Sequence, residues 1–425
     1  MQKQFRIFLI AIVLWLGLFS GNYIVVNTGI YPPLFISILG YIVAFKKMLL
    51  PKYAMFFIVL AFVYICLFLI SNLYNGFEPD LFLIEFRYVL KALLIPVGVS
   101  LVALFIFRKY HFYSYEISQI VFWIVFFQAT LAVLQLSNSA FREWFFSFLQ
   151  LAEGWQHFVN IGHFRTIGLA GLSIYDTSLA YSLLFGLTTY LYKKSGYINN
   201  IQWIFTLFIF MLLTVLSGRT GLIVFLLLTF YLLMNKTSIF TLLNFFIMGS
   251  VGFGLLTYYI SLDDILVFLN FAFEFFNNDS GKFESASTND LLENHLFLPF
   301  NVNPIFGDAM WAQPSIANTF GYQYSTDSGY ILSFISMGIL GFLMSVYMTY
   351  IVFKGYSYSY FIHFKNGYLS LFFKAIIFFL IIGVILKGPI FFSDKFMSVL
   401  IFIFMVQHYL KGISRIEKFN INSNI

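Results

Sequence analysis

Apolar runs of about 17–25 residues, separated by short polar joints, follow one another along most of the 425-residue chain. Runs of this length match helices that cross the ~30 Å hydrocarbon core of a bilayer. The pattern predicts twelve membrane spans, at about 5–22, 30–45, 53–71, 88–107, 117–136, 173–192, 201–217, 219–234, 239–260, 328–353, 371–388 and 395–410. The predicted fold class is therefore all-α, a polytopic membrane protein that forms a single integral domain over residues 1–425.

One long polar segment, 261–327, interrupts this pattern between the ninth and tenth predicted spans. It carries nine carboxylates and one cation, Lys282. Two shorter polar segments, 71–87 and 137–172, fall on the same predicted side of the membrane. Since every joint on the other side is short, the sequence predicts that the protein works on its outer face.

The basic residues decide which side is outer, because cytoplasmic joints of membrane proteins are enriched in lysine and arginine. With the N-terminus in the cytoplasm, the inner joints hold 16 bases and two acids, Glu116 and Glu417, for a charge of +14. The outer side then holds the remaining 8 of 24 bases and 16 of 18 acids, or −8, and the two values sum to the net +6. Both termini are therefore predicted to be cytoplasmic.

The composition limits the class of protein, the partners and the cysteine-based sites that are possible for this chain. The chain is 60% hydrophobic and only 10% charged, which a soluble protein of this size does not accommodate. The basic residues do not cluster on a soluble face, so nucleic acid is not an expected partner. The single cysteine, Cys66, supports neither a disulfide nor a thiolate metal site.

The sequence also lacks the short motifs of nucleotide and zinc enzymes. It contains no Walker-type phosphate loop, no Gly-x-Gly-x-x-Gly after a strand and no His-Glu-x-x-His. Carboxylates in the middle of the predicted spans, which ion-coupled carriers generally need, are absent as well. We therefore expect no metal and no cofactor. The missing motifs argue against ATP hydrolysis and zinc proteolysis, and the missing mid-span carboxylates argue against proton-driven transport.

A Ser-Gly-Arg-Thr-Gly stretch at 217–221 joins the seventh and eighth spans with almost no room for a loop. It places Arg219 at the outer edge of the membrane, at the start of a helix. A guanidinium beside free helix N–H groups makes an anion site, to which the hydroxyls of Ser217 and Thr220 can contribute. Alternatively, Arg219 only snorkels to the lipid head groups.

Arg165 lies in a second such stretch, where the outer segment 137–172 leads into the sixth span. It is a candidate anion ligand for the same reason. Alternatively, it pairs with Asp176 or with a lipid phosphate.

Arg87 and Lys91 lie one turn apart at the outer start of the fourth span. Because they share a helix face, they could hold a diphosphate. Alternatively, they pair with nearby carboxylates, namely Glu78, Asp80 or Glu85.

Two residues near the end of the large outer segment are candidates for proton transfer. Asp327 stands at the start of the tenth span, where a carboxylate is also stabilised as a helix cap. His295 lies in a polar stretch of the same segment, although a lone histidine usually serves only as a hydrogen-bonding residue. Further along the tenth span, Gly338 and Gly341 predict the close approach of another helix.

Together these motifs resemble the repeat-unit polymerases of O-antigen and capsular polysaccharide. The motifs that carry the likeness are Arg-x-x-Gly-Leu at 165–169, Ser-Gly-Arg-Thr-Gly at 217–221, Asn-Pro-Ile-Phe-Gly at 303–307, and Asp-Ser-Gly-Tyr-Ile at 327–331 followed by Gly-x-x-Gly. The layout of spans is similar from about residue 80 to 410. Each motif alone is weakly specific, and the related O-antigen ligases share the layout.

The resemblance implies a metal-independent, inverting glycosyltransferase in the bacterial cytoplasmic membrane, acting on undecaprenyl-diphosphate-linked glycan. Arg219 and Arg165 would hold the diphosphate, with Arg87 and Lys91 as further ligands. The ligases carry a histidine near the position where this chain has Asp327. This difference leaves two candidates for the base, Asp327 and His295. Tyr330, Ser217 and Thr220 would contact substrate, and a chain-length regulator and a flippase would be the protein partners.

Two other functions stay open at this point. The first is an O-antigen ligase, which moves a finished glycan to another acceptor. The second, from another class, is a flippase or transporter of lipid-linked oligosaccharide, because twelve spans with both ends inside also suit carriers. Two features argue against a carrier. The outer loops are unequal in size, and the cations lie at the outer rim rather than in mid-membrane.

Overall fold

The computed structural model describes residues 2–25, 28–47, 50–149, 168–170, 174–195, 200–234, 296, 301–309, 326, 328–361, 368–388 and 393–422. These residues are mostly helical. The helices are α1 Gln2–Phe19, α2 Pro32–Lys46, α3 Lys52–Tyr74, α4 Pro79–Val89, α5 Ile95–Lys109, α6 Ser114–Ser137, α7 Ser139–Ser147, α8 Ile174–Ser195, α9 Asn200–Ser217, α10 Arg219–Met234, α11 Gly329–Tyr356, α12 Tyr368–Lys387 and α13 Asp394–Asn422. A two-stranded antiparallel sheet, Tyr23–Val25 with Thr28–Ile30, joins α1 to α2.

Six of the described helical segments are long and apolar enough to cross a membrane: Gln2–Phe19, Lys52–Tyr74, Pro79–Lys109, Ser114–Ser137, Gly329–Ser359 and Asp394–Ile413. Shorter apolar helices cover Pro32–Lys46, Gln202–Ser217 and Leu371–Leu386. Each predicted span coincides with a helix except two: 239–260 lies outside the described residues, and 328–353 is broken at Met337 and Gly338. The chain is thus a helical protein with the features of a membrane protein, while the number of crossings and their orientation stay predictions.

The polar segment 71–87, predicted as an outer loop, is largely helical instead. α3 continues to Tyr74, and α4 begins at Pro79, so that only a short turn lies between them. Proline at the first helical position favours a helix start, since its missing N–H would have no helical partner there. α4 then passes through a π-helical turn, Leu90–Leu94, directly into α5.

α11 is broken near its beginning. Met337 and Gly338 have non-helical backbone angles, and Gly338 has a φ of +61°. The hydroxyls of Tyr330 and Thr349 are only 2.7 Å apart, although 19 residues separate them. A straight helix would hold residues so far apart in sequence at about 28 Å. The arm 329–336 therefore folds back along the arm 339–356.

Gly338 and Gly341, where the sequence predicts the close approach of another helix, both lie at this fold-back. A Cβ on Gly341 would lie 2.0 Å from the carbonyl oxygen of Ser333, so the helix that approaches is the preceding arm of α11 itself. A Cβ on Gly338 would lie 2.4 Å from the carbonyl oxygen of Ile305, in the segment 301–309. The backbone does approach closely at both glycines, but the neighbours are the other arm of the same helix and a loop, so the predicted second helix is wrong.

Backbone groups at the break in α11 lack their usual partners within the helix. Segment 301–309, which contains the Asn-Pro-Ile-Phe-Gly motif, forms hydrogen bonds with them instead. The N–H groups of Asp308 and Ala309 donate to the carbonyls of Ile335 (2.7 Å) and Ser336 (3.1 Å). The N–H of Ile339 donates to the carbonyl of Pro304 (2.9 Å). Because buried backbone groups need partners, this segment stabilises the two-armed form of α11.

Candidate functional site

Gln128 and Gln135, two turns apart on α6, hold the short segment 168–170. The side chain of Gln135 accepts a hydrogen bond from the N–H of Gly168 and donates one to its carbonyl, both at 3.0 Å. Gln128 Oε1 accepts the N–H of Leu169 at 3.3 Å. Gly168 has a φ of +55°, and a Cβ there would lie 2.4 Å from Gln128 Nε2. The Arg-x-x-Gly-Leu motif thus ends in a fixed backbone position.

The end of α1 fixes the same segment from the other side. Gly21 N–H and the Tyr23 hydroxyl both donate to the carbonyl of Leu169, at 3.1 and 2.8 Å. Burial raises the pKa of the Tyr23 hydroxyl well above its usual value, so that it stays protonated and able to donate. Segment 168–170 is therefore held by two side chains of α6 on one side and by Gly21 and Tyr23, which follow α1, on the other.

Gln128 also reaches towards the Ser-Gly-Arg-Thr-Gly hairpin. Gln128 Nε2 donates to the hydroxyl of Tyr181 on α8 at 2.8 Å. Gln128 Oε1 accepts a hydrogen bond from Trp15 Nε1 at 2.7 Å. The Tyr181 hydroxyl in turn lies near Ser217 at the end of α9, although Ser217 Oγ makes no hydrogen bond to any described residue. The two arginine-bearing motifs, far apart in sequence, are therefore connected through one buried glutamine and one buried tyrosine.

The hairpin itself packs tightly on α8. Ser178 Oγ donates to the carbonyl of Gly218 at 2.8 Å. A Cβ on Gly221 would lie 1.7 Å from Ser178 Oγ and 2.4 Å from the Ser178 carbonyl carbon. Position 221 therefore requires glycine, because any side chain there would collide with α8. Arg219 is the first residue of α10.

A cluster of charged groups lies next to this hairpin, where α2, α8 and α13 begin. The side chain of Asp394 accepts the Tyr31 hydroxyl at 3.0 Å and pairs with Lys395 Nζ at 2.8 Å. Lys395, whose side chain is only 2% exposed, also donates to the carbonyl of Ser20. Asp176, two residues before Ser178, accepts a hydrogen bond from Ser393. We call the set Tyr31, Asp176, Asp394 and Lys395 the acid–base cluster.

Lys91 belongs to the surroundings of this cluster. Its ammonium lies 5.5 Å from the centre of the Tyr31 ring, and Lys395 approaches the same ring at 5.5 Å. The charges that act on Lys91 are those of Asp394, Lys395 and Arg87. Of the predicted pair, Lys91 is therefore half-buried beside the cluster, while Arg87 is exposed one turn earlier.

The carboxylates proposed as alternative partners for this pair behave differently. Glu85 is buried and accepts a hydrogen bond from Tyr64 at 2.6 Å. Glu78 instead uses its backbone, with its N–H donating to Asn72 at 2.9 Å and its carbonyl accepting from the same side chain. The carboxylate that acts on Lys91 in the structure is that of Asp394.

The other predicted site residues are placed as follows. Arg165, His295 and Asp327 lie outside the described residues, and so do the side chains of Arg219 and Thr220. Ser217 is buried beside Tyr181. Ser328, rather than Asp327, is the N-cap of α11, and both Thr326 and Ser328 are buried. Tyr330 is hydrogen-bonded to Thr349 within α11.

Sequence reasoning missed Gln128, Gln135, Tyr181, Asp394 and Lys395. A signal was present for the glutamines, since two amides seven residues apart lie on one face of an otherwise apolar helix. Another was the Asp-Lys pair at the start of the last apolar run, because ionisable groups near membrane spans are costly and mark functional or paired sites. Within the described part of the chain, no group of three or more His, Cys, Asp or Glu side chains could hold a metal.

Fold and site together define a helical protein of membrane type with a polar site at one set of helix ends. The sequence matches no protein-family model, and no curated protein and no solved structure matches it. The function therefore has to be argued from the residues of this chain.

Proposed function

We propose that the protein is a membrane glycosyltransferase that polymerises undecaprenyl-diphosphate-linked oligosaccharide repeat units on the outer face of a bacterial cytoplasmic membrane. The product would be O-antigen or capsular polysaccharide. The observation that carries the proposal is the set of hydrogen bonds from Leu169 through Gln128 to Tyr181 on α8, the helix whose Ser178 donates to the carbonyl of Gly218 in the hairpin. It ties together the two motifs that contain Arg165 and Arg219.

The chemistry needs cations at this position. In the proposed reaction, a sugar hydroxyl of the acceptor attacks the anomeric carbon of the donor glycan. The bond from that carbon to the diphosphate oxygen breaks, and the lipid diphosphate leaves with the bonding electrons. The guanidinium groups of Arg219 and Arg165 would stabilise this developing charge through paired hydrogen bonds, and would do so best where water is excluded.

The hydroxyl proton goes to a base on the large outer segment, Asp327 or His295. A carboxylate or imidazole within hydrogen-bond reach of the attacking hydroxyl can accept it. Lys91 and Arg87 are assigned to the diphosphate as further ligands, with Lys91 beside the acid–base cluster. Ser217, Thr220 and Tyr330 are assigned to substrate contacts.

The glycan profile of a deletion strain tests this function. Loss of a polymerase leaves a single repeat unit attached to the final acceptor. Loss of a ligase removes all attached glycan, while loss of a flippase removes it and leaves lipid-linked units on the cytoplasmic side. A single attached repeat supports the proposal, and either of the other two profiles overturns it.

A further inference from the structure

A second cluster of cations lies at the opposite helix ends, which we call the basic end. Here α3 begins, and α11 continues into a π-helical turn, Ser357–Phe361. The hydroxyls of Tyr53 and Tyr358 are 3.0 Å apart, and either can donate to the other. Lys411 Nζ lies 4.8 Å from the centre of the Tyr358 ring, and Lys354 Nζ lies 5.8 Å from it.

Lys354 and Lys411 both lie close to the tyrosine pair formed by Tyr53 and Tyr358. Their positive charges interact with the hydroxyl of Tyr53 as well as lying against the ring of Tyr358. Two ammonium groups and two phenolic hydroxyls therefore converge on one place. A phosphate group matches this set, because its anionic oxygens accept from both kinds of donor.

The backbone beneath these side chains is fixed. A Cβ on Gly355 would lie 2.1 Å from Leu400 Cδ1, so α11 and α13 are in direct contact just before the π-helical turn. Gln407 Nε2 donates to the carbonyl of Tyr358 at 3.3 Å. The ring of His408 packs edge-on against Tyr53 at 5.9 Å. The donors of the cluster are thus held by packing between three helices.

The surface beside the cluster is apolar and exposed. Tyr350 is 52% exposed, with Lys354 Nζ 5.8 Å from its ring, and Tyr347, stacked on Tyr350, is 43% exposed. On α3, Met55 is 48% exposed. A cationic head-group site above an exposed apolar strip fits a lipid better than a free anion, because an acyl chain would cover the strip.

We propose that Lys354, Lys411, Tyr53 and Tyr358 form a binding site for the phosphodiester head group of an anionic membrane lipid. The site is separate from the acid–base cluster and does not depend on the glycosyltransferase proposal. Basic pockets between helices recognise lipid head groups in this way.

Native mass spectrometry tests the site. The full-length protein is reconstituted in phosphatidylcholine vesicles that contain a minor fraction of phosphatidylglycerol, extracted, and analysed for retained lipid. The variant Lys354→Gln/Lys411→Gln should retain about tenfold less phosphatidylglycerol than the unaltered protein. Lys354→Arg/Lys411→Arg keeps both charges and should retain it, which separates loss of charge from loss of folding.

Lys47→Gln is the matched control, since Lys47 is an exposed lysine at the same end that lies over a ring, that of Phe105, at 4.7 Å. It should leave retention unchanged. Equal retention in the double glutamine variant, or an equal loss in Lys47→Gln, overturns the site. Displacement of the lipid by millimolar inorganic phosphate would show a soluble phosphate as the ligand and would also overturn the lipid assignment.

Discussion

Gln128 donates a 2.8 Å hydrogen bond to the hydroxyl of Tyr181, and the same amide accepts hydrogen bonds from Trp15 and Leu169. A single buried side chain of α6 thus connects α1, α8 and segment 168–170. An amide is suited to this role because it both donates and accepts without carrying a charge into an apolar interior.

Replacing Gln128 by leucine should destabilise the protein by about 2–3 kcal/mol, because the indole N–H of Trp15 and the N–H of Leu169 lose their acceptor. It should also lower glycan polymerisation, since both arginine-bearing motifs lose a fixed neighbour. Thermal unfolding in detergent and glycan chain length are the two measurements.

Gln119→Leu is the control for that variant, being a buried glutamine on the same helix whose Nε2 has no partner among the described residues. Its unfolding temperature should change little. If both variants unfolded alike and polymerised alike, the connecting role of Gln128 would be wrong.

Gly338→Ala should destabilise the protein by about 3 kcal/mol. A left-handed backbone is unfavourable for alanine, and the new Cβ would collide with the carbonyl of Ile305. Gly383→Ala is the contrast, because nothing lies within 4 Å of its Cβ position and alanine favours the helix. Thermal unfolding should fall for the first variant and stay level or rise for the second; two equal falls would argue against the loop contact.

The fold-back of α11 predicts a specific cross-link. In a chain with Cys66 replaced by serine, cysteines at positions 330 and 349 should be joined by a short bismaleimide, because these side chains meet in the structure. Cysteines at positions 53 and 72 have the same spacing of 19 residues but lie on the unbroken helix α3. The second pair should stay unlinked, because about 28 Å of straight helix separates its members. No cross-link in the first pair would contradict the fold-back of α11.

Lys395→Met should be strongly destabilising, by about 3–5 kcal/mol, because it leaves the carboxylate of Asp394 without its closest cation. The double variant Asp394→Asn/Lys395→Met should recover part of that loss. Lys3→Met serves as the comparison, since Lys3 pairs with Glu116 at 2.6 Å but its side chain is 63% exposed. Glu116 is only 9% exposed, but it keeps the N–H of Tyr113 as a donor and water can replace the exposed ammonium, so the loss should be only about 1 kcal/mol. Similar losses in the two single variants would contradict the burial of Lys395.

The sequence carried much of the fold because hydrophobic length is a direct consequence of bilayer thickness. It placed α3, α6, α9 and α10 within a few residues of their bounds, whereas α13 continues twelve residues beyond the predicted end at 410. It could not reveal the fold-back of α11, since 329–356 reads as one continuous apolar run and the break depends on a loop from elsewhere in the chain. α4 was missed because its polar residues resemble those of a loop when only hydropathy is considered.

The site was predictable only in part. The glycines of the 217–221 hairpin and the one-turn spacing of Arg87 and Lys91 are local features, visible in the sequence. The predicted helix start beside these two cations is wrong, because the helix begins at Pro79. The roles of Gln128, Asp394 and Lys395 arise from contacts between helices remote in sequence, as with Lys395 and Ser20, which are 375 residues apart. No local pattern encodes such a contact.

The central claim is that a cation at the start of α10 stabilises the leaving diphosphate. The most direct measurement is the chain-length ladder of glycan made by Arg219→Ala, with membrane insertion checked by the amount of protein in the membrane fraction. We predict that long-chain glycan falls by about 100-fold or more, as when a transition-state donor is removed, while Arg108→Ala at the basic end keeps the normal ladder. A normal ladder from correctly inserted Arg219→Ala protein would contradict the catalytic role of this arginine.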